Sequence, residues 1–173
     1  MRNVNHLWNA ANHDPGLPAD LRGGGAMDCL GQLSQCLVWV CQDRRVALVS
    51  EPLAKSAQDT ELTHRWSAFC AATVEFLCER YDVPCPQWVH VPRYMLETPW
   101  WYTERADDPK IRERLMQTTP SAFARRKIFC GNRLYQNKYE MSAWIQEARA
   151  QGITDPGAVW RYARQKEISI HGG

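Results

Sequence analysis

The fold class this sequence predicts is mainly α, a single compact helical domain with a proline- and tryptophan-rich extended connector and at most a short β element. Three observations lead there. Between residues 59 and 81 apolar side chains recur at helical spacing. Three times a polar residue directly precedes a proline, the pairing that opens helices. A chain of 173 residues with 45% apolar and 23% charged types suits one core of ordinary size.

Residues 1–26 carry Asn3, Asn5, Asn9, Asn12, Pro15, Pro18 and the run Gly23-Gly24-Gly25, with only Leu7 and Trp8 as apolar anchors. They lack the periodicity that offsets ordering entropy, so a loosely ordered arm is expected there and the domain over 27–173. From Asp28, a candidate N-cap, the residues Leu30, Leu33, Leu37, Val40 and Cys41 trace one helical face. Residues 37–49 admit a second reading, in which Leu37–Val40 and Val46–Val49 pair as a hairpin. The intervening Gln42-Asp43-Arg44-Arg45 lacks the glycine that a tight hairpin prefers, which favours helix.

The central helix is expected over Asp59–Tyr81, with Leu62, Trp66, Phe69, Cys70, Thr73, Phe76, Leu77 and Tyr81 on one face. Pro84, Pro86, Pro92 and Pro99 then exclude a helix or central strand over 82–99, leaving an extended connector. Asp108-Pro109, Thr119-Pro120 and Asp155-Pro156 predict helices over 109–117, 120–126 and 156–167, and a further helix spans Asn137–Gln151, closed by Gly152. Lys127–Tyr135 suits a short extended piece with a turn at Gly131-Asn132.

Function classes narrow by exclusion. Net charge is +2, too balanced for a dedicated polyanion binder. No run approaches the length of a membrane span and no secretory leader is evident, so a cytoplasmic protein without membrane contact is expected. The seven cysteines contain no C-x-x-C pair, and Cys70, Cys78, Cys85 and His90 are spaced too widely for a zinc knuckle. They read as reduced, mostly buried thiols, with no metal and no cofactor expected. Cys130 with His90 and Asn132 is the one imaginable nucleophile set, but no family-type flank surrounds it. Asp107 and Asp108 are accounted for as helix caps. No catalytic residue is nominated, and a non-enzymatic protein is expected.

What stands out is eight tryptophans and a local excess of positive charge: residues 93–139 hold ten basic against five acidic side chains. Trp66 and Trp144 fall on helical faces and read as core. The expected contact set for a protein partner is Trp88, Tyr94, Trp100 and Trp101 from the connector with Arg125, Arg126, Lys127, Arg133 and Lys138, because aromatic and arginine side chains dominate interface hot spots. The alternative is a nucleic-acid-binding regulator that uses the basic segment 125–138 on phosphates. The plainest reading of Arg125 and Arg126 is cations at a helix C-terminus.

Three segments in fixed order carry a resemblance: Phe69–Leu77 running into Tyr81–Val89; Tyr94-Met95-Leu96-Glu97-Thr98-Pro99-Trp100-Trp101; and Thr119–Phe129. Together, over about residues 45–135, they resemble a family of small bacterial and prophage proteins associated with nucleotidyltransferase-like proteins in arrangements similar to toxin–antitoxin modules. The resemblance implies an antitoxin-like role, binding and restraining a protein partner such as a nucleotidyltransferase-like toxin. It implies no catalytic residues, and the N-terminal arm and the tail from Asn137 fall outside it.

Overall fold

The structure, a computed structural model, describes residues 42–54, 60–132, 134 and 138–171. The expected arm 1–26, the helix opening at Asp28 and the 37–41 half of the alternative hairpin lie outside the described residues. Within the span expected as a single domain, the chain divides into two compact units, one ending at Gly131 and one beginning at Asn132. Among the described residues there are six α-helices and one two-stranded sheet, so the protein is mainly α. No described helix is long and apolar enough to cross a membrane.

In the first unit α1 spans Gln42–Val49, which makes Val46–Val49 helical rather than a hairpin strand. Leu48 and Val49 bury their side chains. The helix α2, Glu61–Arg80, is the centre of this unit. Thr60 and Thr63 form a reciprocal capping box at its start, which satisfies two backbone donors. Every residue from Ala68 to Glu75 is buried, so its middle is packed on all sides, and Leu62, expected on the buried face, stands exposed in the first turn before that packing begins. The buried Thr73 hydroxyl donates to the Phe69 carbonyl one turn back at 2.9 Å. Asp82 adopts φ 52° and ends α2, with the Val83 N–H donating to the Cys78 carbonyl at 2.9 Å.

The connector holds more local structure than an extended chain. Gln87–His90 and Pro92–Tyr94 are short 3-10 turns, a geometry that accepts proline at its start. The strand β1, Trp100–Trp101, pairs in parallel with β2, Ile128–Phe129, in the register Trp100 to Ile128 and Trp101 to Phe129. Between them Glu104–Asp107 forms another 3-10 turn, α3 spans Pro109–Thr118 and α4 Ser121–Ala124. Asp108 caps α3 by accepting from the Lys110 N–H at 2.9 Å, with Pro109 in the first turn as expected.

The second expected cap, Thr119-Pro120, differs. Pro120, not Thr119, precedes α4, which is only four residues long instead of 120–126. The Thr119 hydroxyl instead accepts from the Cys130 and Gly131 N–H groups at 3.1 and 2.8 Å, fastening the exit of β2 to the end of α3. Gly131 makes that turn at φ 70°, where a Cβ would also meet Leu115 at 3.2 Å.

An aromatic cluster joins these pieces to α2. Trp66, Phe69 and Trp100 meet with centroid separations of 5.4 to 5.8 Å, Tyr102 stacks on Phe69 at 5.5 Å and Phe123 lies 5.2 Å from Phe69. In the second unit α5, Lys138–Ala150, packs on α6, Pro156–His171, through Met141, Ala148, Val159 and Ala163. Gly152 at φ 82° closes α5, the Asp155 carboxylate accepts from the Ala158 N–H at 2.6 Å, and α6 continues four residues past its expected end. Glu147 ties the two helices, accepting from the Tyr162 hydroxyl at 2.7 Å and from Lys166 at 2.8 Å.

Replacing Thr119 by Val removes the acceptor for two backbone donors while keeping the shape. We expect Thr119→Val to cost about 1–3 kcal/mol in urea unfolding and Thr119→Ser well under 1 kcal/mol; equal losses would mean the methyl group matters rather than the hydroxyl.

Candidate functional site

The segment from Thr119 to Gly131 reaches α2 through charge as well as rings. Arg126, the largest fully buried side chain described, sits at 0% exposure, and Glu75 of α2 at 2%. Arg126 Nη1 donates to Glu75 Oε2 and to the Ala122 carbonyl, both at 2.5 Å, and Nη2 donates to the Val89 carbonyl at 2.7 Å. Its Nε finds no acceptor among the described residues. Arg125 approaches from the surface side, donating to Glu75 Oε1 at 2.5 Å and lying 3.7 Å from Glu79. His90 Nδ1 stands 3.8 Å from Glu75 Oε1. Both oxygens of one buried carboxylate are therefore occupied, and one guanidinium joins α2, α4 and the 87–90 turn.

This arrangement sorts the residues expected to meet a partner. Arg126 is corrected from surface cation to interior anchor, because its charge is neutralised by Glu75. Trp88 and Tyr94 are likewise interior: the Trp88 indole N–H donates to the Val49 carbonyl at 2.8 Å, and Tyr94 packs edge-on to Trp88 at 5.5 Å under the Arg93 guanidinium. Buried side chains whose polar groups are already matched have little to offer a partner. Trp100 is half-buried in the Trp66 and Phe69 cluster. Arg125 is exposed at its edge but engaged with two carboxylates. Lys127, at φ 60°, is exposed and donates to the Glu97 carbonyl at 2.7 Å. Arg133 lies outside the described residues, as does the side chain of Lys138, the first residue of α5.

Trp101 is the predicted residue that the fold leaves both accessible and organised. Its ring is half-buried and stacks on Phe129 across the β1–β2 pair, 4.6 Å between centroids and 24° from parallel. The Arg112 guanidinium lies 5.3 Å from the Trp101 ring centre, held there by donation to the Ala106 carbonyl and by Asp107 at 3.7 Å. Met116, one turn further along α3 on the same side, is 58% exposed. The helix α3 buries no side chain fully. A flat aromatic pair, a guanidinium fixed over it and a flexible thioether beside it make a surface suited to a partly apolar, partly polar contact. Arg112 and Met116 were missed from the sequence, and Phe129 was read only as a ring that could stack on a base, because their neighbourhood to Trp101 is made by the non-local strand pair; Arg112 four residues before Met116 is the only local sign.

Cys130 is half-buried beside this surface, and burial pushes its thiol up to about 12. It is protonated at neutral pH and thus a poor nucleophile. Burial also raises the Tyr102 phenol above its ordinary range. Among the described residues no group of three or more histidine, cysteine or acidic side chains is placed to hold a metal ion.

No family model, curated protein or solved structure matches this chain. The arrangement of its own residues therefore carries any functional reading.

At pH 8 a thiol titrating near 12 is thiolate in about one molecule in ten thousand. Iodoacetamide should accordingly leave Cys130 unlabelled in the folded protein over a time in which a free thiol is fully alkylated, and label it once urea is added. Rapid labelling of Cys130 in the folded state would contradict the burial assigned to it.

Proposed function

We propose that this protein is a non-enzymatic, antitoxin-like binding module of the cytoplasm that restrains a protein partner, and that Trp101 with Phe129, Arg112 and Met116 forms its contact surface. The observation that carries the reading is the half-buried Trp101–Phe129 stack, with a guanidinium fixed over its accessible side. Tryptophan and arginine are the residue types on which binding energy concentrates, and both are pre-organised here, so little side-chain entropy remains to be lost on association. Lys127 and the outer edge of Arg125 supply positive charge near the same strand pair, which favours an acidic rim on the partner.

The competing use of the basic segment on nucleic acid is less well supported. Arg126 is spent inside the protein, and Arg125 faces Glu75 and Glu79, so the run of three cations keeps one charge, on Lys127, without a carboxylate partner among the described residues. A polyanion binder needs several such charges directed at phosphates.

The test is retrieval of the tagged protein from its own host beside the double variant Trp101→Ala, Arg112→Ala and a control variant Arg161→Ala. The expected result is a stoichiometric protein band with wild type and control, reduced at least tenfold with the double variant, while circular dichroism is unchanged. A band indifferent to the double variant would remove this surface from the interface. Co-purifying nucleic acid released by salt would overturn the protein-binding reading in favour of the nucleic-acid one.

A further inference from the structure

The face of α2 that meets Arg125 and Arg126 also carries Cys78, one turn beyond Glu75 and beside Glu79. Chain reversal at Asp82 brings the next cysteine back toward it. The Val83 N–H closes on the Cys78 carbonyl, and Cys78 Sγ lies 4.0 Å from the Pro84 carbonyl, immediately before Cys85. The Pro84 carbonyl belongs to the peptide unit that leads into Cys85, so this contact brings the Cys78 thiol close to Cys85. Cys78 is buried at 1% exposure, whereas Cys85 is partly open to solvent. Both are free thiols, so the structure holds a buried thiol close to a partly accessible one across a tight reversal.

We infer that Cys78 and Cys85 form a reversible dithiol–disulfide site, oxidised by hydroperoxides, with Cys85 as the attacking sulfur and Cys78 as the resolving one. Exposure assigns the roles, since an oxidant arriving from solvent reaches Cys85 first. Electrostatics agrees with that order. Interaction with the neighbouring Cys78 thiol holds the Cys85 thiol below the ordinary thiol range against burial and the Glu75 and Glu79 charges, with Arg126 helping to lower it. The same contact, with burial, raises Cys78 and keeps it protonated.

In the first step the Cys85 thiolate attacks the terminal oxygen of the hydroperoxide. The O–O bond breaks, the alkoxide or hydroxide leaves and takes up a proton, and Cys85 becomes a sulfenic acid. In the second step the Cys78 sulfur attacks the Cys85 sulfur as its own proton departs with the leaving hydroxide as water. The S–S bond forms and the S–O bond breaks. Two thiols lose two electrons in all, and the hydroperoxide gains them. The link would tie the last turn of α2 to the residues that lead into Trp88 and Val89, whose carbonyl Arg126 holds.

Trypsin provides a direct reading, because Arg80 separates the two cysteines and cleavage after Arg65, Arg80 and Arg93 places Cys78 in the peptide 66–80 and Cys85 in 81–93. The full chain is treated with hydrogen peroxide, blocked with iodoacetamide in urea and digested without reductant. The expected product is the linked pair of these peptides, two hydrogens lighter than their sum and separated by dithiothreitol. It should persist in Cys70→Ser, which shares the 66–80 peptide, and vanish in Cys78→Ser. In wild type alone, whatever the fate of the variants, Cys78 and Cys85 should lose their alkylation together and at least tenfold faster than Cys130. Equal loss at Cys130, oxidation of Cys85 without the link, or a link that survives Cys78→Ser would each overturn the assignment.

Discussion

The first unit depends on one buried ion pair. Arg126 and Glu75 come from positions 51 residues apart and meet at 2.5 Å with almost no solvent contact. Taking two such charges out of water costs several kcal/mol for each, which only close geometry and further hydrogen bonds offset. Those bonds are present, from Arg126 to the Ala122 and Val89 carbonyls and from Arg125 to the second carboxylate oxygen. The pair therefore contributes less to net stability than to position, since any shift of the 119–131 segment or of the 87–90 turn leaves a charge stranded. An apolar contact would tolerate sliding that this arrangement does not.

From that fixed point the rest of the surface follows. Arg126 holds the end of α4, Lys127 turns the chain at positive φ, and Ile128 and Phe129 emerge where they can pair with Trp100 and Trp101. Thr119 secures the far end of the same strand through two backbone bonds. The Trp100 ring joins the Trp66 and Phe69 cluster, while the Trp101 and Phe129 rings stack together, half-buried, beneath Arg112. A two-residue parallel sheet is too short to hold such a platform alone, and its flanking anchors explain why the platform is ordered.

How much of this the sequence disclosed depended on whether the cause was local. The helix α2 was legible because its apolar residues recur at helical spacing over one contiguous stretch, and α3 and α6 because an aspartate before a proline acts within one turn. The prolines of the connector correctly excluded an α-helix there but concealed two 3-10 turns, which have no periodicity of their own to read. Thr119 misled because its hydroxyl is used by residues eleven and twelve positions away rather than by the helix that follows. At the candidate site Trp101 was legible as an aromatic in an irregular segment. Arg126 looked like a surface cation because a basic run gives no hint of burial. A lone acid between Val74 and Phe76 was the sign that a cation had to enter the core, but nothing in one sequence says which of the 21 basic residues does so.

The most direct test of this account is a double-mutant cycle on Glu75→Gln and Arg126→Met, read by urea unfolding. Glu75→Gln strands the fully buried Arg126 without a carboxylate and is predicted to cost about 3–5 kcal/mol, while Arg126→Met leaves Glu75 with Arg125 alone and should cost less, though still above about 1 kcal/mol. The double variant should then lose less than the sum by at least about 1 kcal/mol, as two groups in direct contact require. Singles that cost under about 0.5 kcal/mol and simply add in the double variant would contradict the claim that this pair fixes the 119–131 segment on α2.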